Sequence, residues 1–323
     1  MNRPFSRPVA MLALWVLCSP FVEAQTHYGA EARDLRQALR RLPTTRVRTA
    51  DRRSAGRSVN QPTVAGIRVR QHIVAGRRHA ARSASDAART SYLAALRELA
   101  AARVHAQVAP LATKSLAASF TALREVRDFY APASVIELDP YAMAVTHQSP
   151  VLKGDREVGL SSHAAIVRYA AFASGQLATA CGHEPLAADA LHGLGQVYAA
   201  RATREQIPDS LMSQFAKVFF SAALRVNPKH PRSGNELGVV LARSGAWEQA
   251  LVVFRQSAVN APHAATWHNL AVVHQLRGER EMAVLAQGEV SRVSQIAVAG
   301  VAPRHLSWLD ANDPGHVMIH GRP

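Results

Sequence analysis

The side chains able to do covalent chemistry are few. Cys181, His183 and Glu184 stand within four residues at the end of a helical run, and His147, His163 and His192 add imidazoles on either side. A thiolate nucleophile needs a base aimed at its sulfur and donors for the oxyanion, and closeness along the chain supplies neither. The residue types fit a buried structural thiol better. His305, His316 and His320 near the terminus lack compact metal-ligand spacing such as His-Glu-x-x-His. Lys153, Gly154 and Asp155 lack the glycine-rich run and the Gly-Lys-Ser/Thr step of a phosphate loop. No catalytic residue, metal or cofactor is implied. A hydrolase within residues 111–160 that uses Cys181 is the one enzymatic alternative the residues allow.

The charged groups point instead to binding. The 323-residue chain has a formal charge of +15, concentrated in residues 25–110, where 17 Arg and no Lys face 5 acids for a net +12. Such a region could dock on nucleic acid, anionic lipid or an acidic polymer of the cell envelope. Yet Arg46 to Arg82 is rich in Ser, Thr, Gly and Ala and almost free of aromatics, so it lacks the stacking platforms of single-strand binders. A solvated, partly disordered linker with short helices is expected there.

The start of the chain has the form of a secretory leader. Arg3 and Arg7 precede the apolar run Val9 to Leu17, Pro20 breaks it, and Val22 and Ala24 fit cleavage after residue 24. Export to the periplasm or medium is expected. The apolar stretch from Val9 to Val22 is shorter than the roughly 20 residues that span a bilayer, and no later stretch is longer. Cys18 lies within this leader without the small residue of a lipidation signal, which leaves Cys181 alone and unable to form an intramolecular disulfide.

The elements that must position any site are helical. Aromatic residues make up only 6% of the chain and alanine is abundant, which suits close-packed helices. Leu35, Leu39 and Leu42 predict a short amphipathic helix ended by Pro43. Leu93, Leu96, Ala100 and Val104 predict another, capped by Asp86 and closed by Pro110. A further helix carries Leu116, Phe120, Leu123 and Tyr130. Pro132, Pro140 and Pro150 then punctuate an irregular connector with a β-leaning run at Val135 to Leu138. From His163 onward Ile166, Ala170, Ala173, Leu177 and Ala180 trace a buried helical face.

Residues 231–263 carry a denser pattern: Leu237, Gly238, Leu241, Gly245, Trp247, Ala250, Phe254 and Pro262. This closely resembles the tetratricopeptide repeat, a two-helix unit of about 34 residues. Downstream, Trp267, Leu270, Ala271, Gly278 and Ala283 repeat it. Upstream, Leu191, Leu194, Gly195 and Tyr198 match a first helix, and Ala216, Phe220, Ala223 and Pro228 a second, with about nine extra residues around Arg201 to Asp209. Ala173, Leu177, Ala180 and Pro185 resemble the second helix of one more unit. The resemblance covers residues 161–297, as three repeats and a preceding half unit. It places Trp247, Phe254, Phe220 and Tyr198 in the core.

The expected fold is therefore all-α: a leader at 1–24, an Arg-rich region at 25–110, a helix and connector at 111–160, a short tetratricopeptide-type solenoid at 161–297, and an irregular tail at 298–323. The resemblance implies a groove lined by the first helix of each unit. Its lining would be Asp189, His192 and Gln196, then Arg232, Asn235, Val239 and Arg243, then His268, Val272 and Gln275. A non-enzymatic protein-binding scaffold follows from it, with a peptide or helix of another protein as partner. The alternative is an anion-binding protein that acts through the Arg-rich region.

Overall fold

A computed structural model of the chain describes residues 64–103, 109–130, 139–154, 156–207, 210–230 and 232–298. The leader, the Leu35 to Leu42 segment, the Val135 to Leu138 run and residues 299–323 lie outside these. The described residues fall in one compact unit. They form eleven α-helices and no strand: α1 (Val64–Ala81), α2 (Ser85–Ala102), α3 (Ala109–Glu125), α4 (Pro140–Met143), α5 (Ser162–Cys181), α6 (Pro185–Glu205), α7 (Leu211–Val226), α8 (Ser233–Arg243), α9 (Trp247–Asn260), α10 (Ala264–Leu276) and α11 (Arg280–Val298).

The first helix corrects the expectation of a solvated linker through Arg82. α1 buries Val69, Ile73 and Gly76 against α2, a stripe at spacings of four and three. Two apolar residues and a glycine make that stripe too narrow to stand out among four arginines. α2 buries Leu93, Leu96 and Ala100 as expected, but its N-cap is Ala84, and Asp86 lies inside the first turn. There its carboxylate meets the helix dipole and pairs with Arg201 of α6. Pro110 opens α3 rather than closing α2. In the first turn its missing N–H has no intrahelical partner to lose.

The connector after α3 is folded onto the helices by buried polar groups. Glu125 at the end of α3 accepts from the backbone N–H of Gln148 (2.6 Å) and from Ser149. His147 bridges Tyr169 of α5 (2.6 Å) and Asp128 (3.1 Å). A buried carboxylate without such donors would cost several kcal/mol, so these bonds fix the loop in one place. α5 pairs with α3. It ends at Gly182 (φ 62°), where the Arg103 guanidinium donates to the carbonyls of Thr179 (3.0 Å) and Ala180 (3.1 Å).

The remaining helices pack as consecutive hairpins, α6 with α7, α8 with α9, and α10 with α11. Two of their turns are alike, and α1–α2 shares the same turn. Ser83 (φ 58°), Gly245 (φ 76°) and Gly278 (φ 78°) take the left-handed conformation. The next residue then donates back across the turn: Ala84 to His79 O (2.9 Å), Ala246 to Leu241 O (3.0 Å) and Glu279 to His274 O (2.9 Å). The α6–α7 connection differs because its extra residues mostly lengthen α6, which runs on to Glu205 before Gln206 turns left-handed.

Small residues let the paired helices close up. A Cβ at Gly238 would lie 2.4 Å from the Phe254 ring, at Gly195 2.5 Å from Phe220, and at Gly76 2.6 Å from Tyr92. Gly76 and Tyr92 are separated in sequence by the same interval as Gly238 and Phe254. Tyr92 also touches the next hairpin, since a Cβ at Gly193 of α6 would lie 2.3 Å from it. Arg89 donates to the Tyr198 hydroxyl (3.0 Å) across the same boundary. The α1–α2 hairpin is thus seated directly on α6, although α3 to α5 intervene in the chain.

Candidate binding face

Helices α1, α6, α8 and α10 are the first members of the four hairpins, and each touches the next. The ten groove residues expected from the sequence divide by exposure. Gln196, Arg232 and Gln275 are exposed, Asp189, Arg243 and His268 are half-buried, and His192, Asn235, Val239 and Val272 are buried. Only the first six can reach a partner.

The buried polar members instead join one first helix to another. Arg77 of α1 pairs with Asp189 of α6 (3.3 Å), and His230 Nε2 meets the same carboxylate at 3.4 Å. His230 Nδ1 bonds the Ser233 hydroxyl (2.8 Å), which also lies 3.2 Å from His192 Nδ1. This chain of side chains runs from α1 through α6 to the start of α8. Between α8 and α10, Asn269 donates to Asn235 (2.9 Å), and Arg243 donates to Thr203 of α6 (3.1 Å).

Burial sets the protonation of this layer. His192 is held well below the ordinary imidazole value, first by loss of water and then by the neighbouring His230 and Arg232. Asp189 is held low by its bond to His230, with Arg77 helping. Glu236, buried on α8, is pushed up to about 7 by desolvation, against the Asn235 hydrogen bond and the charges of Arg243 and Arg232.

Asp189, His230 and Ser233 follow the order of a serine-nucleophile relay. Ser233 is wholly buried, so its hydroxyl has no path to a substrate, and the relay orders α6 against α8. Cys181 is buried and its thiol is pushed up to about 12, which keeps it protonated at neutral pH. Among the described residues, no three His, Cys, Asp or Glu are placed to hold a metal, and no helix is long and apolar enough to cross a membrane.

Phe254, Phe220 and Tyr198 are buried, as the repeat resemblance implies. Trp247 is not: it starts α9 half-exposed, and Trp267 on α10 is the fully buried tryptophan. Sequence reasoning missed Arg77, His230, Ser233, Glu236 and Asn269. Arg77 had a signal, because it follows Gly76 as Gln196 follows Gly195 and Val239 follows Gly238. No family model, no curated protein and no solved structure matches the chain.

Proposed function

We propose that the chain is an exported, non-enzymatic scaffold that holds another protein against the first helices of a tetratricopeptide-type array. The observation that carries this reading is the recurring packing unit: a glycine on the first helix against an aromatic on the second, in three hairpins. A left-handed turn with the same back-bond recurs in α1–α2, α8–α9 and α10–α11. Units of this kind bury their apolar faces only on neighbours, and their stacking creates extended surfaces used for binding. On this reading α1–α2 is a further repeat, separated from α6 by an inserted segment, and the array counts four units. The leader-like start, from Arg3 to Ala24, supports export.

Partner contact falls to Gln196, Arg232 and Gln275 with the half-buried Asp189, Arg243 and His268. A photo-reactive amino acid at position 196 or 275 of the full chain should trap a partner in the native cells. The same group at the exposed Gln256 of α9 should not. Equal trapping at all three positions would remove the groove reading. A mature chain beginning before residue 25 would remove cleavage of the leader.

The second reading, binding of nucleic acid or an acidic envelope polymer through residues 25–110, draws support from α1, which has four arginines and no acid. Heparin or DNA retention that falls steeply with salt would favour it; retention indifferent to salt would count against it.

A further inference from the structure

α1 differs from the other first helices in what it leaves uncovered. Its stripe Val69, Ile73 and Gly76 faces α2, while Val64, Ile67 and Val74 are 68%, 43% and 51% exposed. At the pitch of an α-helix these three fall within a sector of roughly 80° opposite the buried stripe. By the same pitch Arg70 and Arg77 follow one edge of it, Arg68 the other, and the exposed Gln71 and Arg78 lie between. Arg68 and Arg77 are occupied by Glu98 and Asp189. Arg70 and Arg78 make no ion pair among the described residues.

We propose that this face docks an acidic amphipathic helix of another protein, with its apolar stripe on Val64, Ile67 and Val74 and its carboxylates on Arg70 and Arg78. Charge selects the occupant. Residues 25–63 carry 9 Arg against 3 acids, and a second copy would bring the same arginines, so both are repelled, while residues 299–323, with 2 Arg and 2 Asp, offer no acidic excess. A membrane is a poorer fit, because α1 has no Trp, Phe or Leu to enter the acyl boundary and Arg78 interrupts the apolar strip. Nucleic acid would leave the three aliphatic side chains uncovered. Arginine forks instead match carboxylates two bonds at a time, and a helix laid alongside covers the strip between them.

The site adjoins the groove, since Arg70 precedes Gly76 by the same interval as Asp189 precedes Gly195 and Arg232 precedes Gly238, and one titration distinguishes the two. The probe is a fluorescent helical peptide of about 20 residues, with leucines on one face and glutamates on the other. It is added to the full chain at physiological salt. Binding should weaken at least about tenfold in Arg70→Glu/Arg78→Glu and in Ile67→Ser/Val74→Ser, a loss of about 1.4 kcal/mol or more. All four side chains are exposed, so melting temperatures should hold. Arg232→Glu should leave this binding intact. The proposal is overturned if the peptide fails to bind, or if the α1 variants bind it as the parent does. Polyglutamate, anionic phosphatidylglycerol vesicles or duplex DNA binding as tightly as the peptide would overturn it as well.

Discussion

At the scale of single residues, missing methyl groups and buried protons make the sharpest claims. Gly238→Ala and Gly193→Ala each drive a Cβ into a ring that is itself buried, Phe254 and Tyr92. Overpacking costs about 1–3 kcal/mol, more than the roughly 1 kcal/mol that alanine returns in helix propensity, so both variants should melt lower. Gly175 on α5 has nothing within 4 Å of its Cβ position, and Gly175→Ala should stabilise by about 0.5–1 kcal/mol. Thermal melts of the three variants check the ordering. His192 and Glu236 bias stability in opposite directions with pH. His192 binds its proton more readily when unfolded, so its contribution is complete above about 6.5 and is lost as pH falls below that value. Glu236 binds its proton more readily when folded, so stability drops as pH rises from about 4.5 through about 7. Glu236→Gln should therefore gain on the order of 2 kcal/mol at pH 8 and almost nothing at pH 4. Urea midpoints across this range should rise with pH in Glu236→Gln and fall with pH in His192→Gln.

At the scale of elements, the second half of the chain was legible and the first hairpin was not, for a physical reason. α8 and α9 announce themselves through Leu237, Leu241, Trp247 and Phe254, large side chains at regular spacing. α1 contributes only Val69, Ile73 and Gly76 to its hairpin and covers the rest with arginine, so hydropathy reads it as linker. Its left-handed turn residue is Ser83 rather than glycine, which hides the turn as well. What remained visible was the interval from Gly76 to Tyr92, equal to that from Gly238 to Phe254. The ten residues expected to line a groove fall on or beside α6, α8 and α10, but which of them are exposed was not legible. His192 and Asn235 stand where the repeat puts lining residues, yet cross-helix bonds to Ser233 and Asn269 turn them into braces. Because α2 covers α6 through Tyr92, Arg89 and Asp86, and α3 and His147 cover α5, a chain beginning at residue 161 should melt well below one beginning at residue 57. Calorimetry of the two fragments measures this, and equal transitions would mean that these contacts contribute nothing.

At the scale of the whole molecule, a segment from α3 to α5 leaves the line of hairpins and returns, and the Glu125, His147 and Arg103 bonds hold it in place. If the hairpins form the proposed array, stability is a sum of unit and neighbour terms, so a local break at one boundary should divide it rather than merely loosen it. The boundary between α1 and α6 is where a break would separate the basic hairpin from the rest. It is also where the reading of four stacked units is most exposed to test. With cysteines at positions 77 and 189 of the full chain, Cys18 replaced by serine, and Cys181 left as it is because its buried thiol stays protonated, a short bismaleimide should join α1 to α6 within one molecule. A monomeric cross-linked species with an unchanged or raised melting temperature is the expected result. Failure to cross-link, or linkage only between molecules, would contradict the placement of α1–α2 on α6 and with it the continuous face.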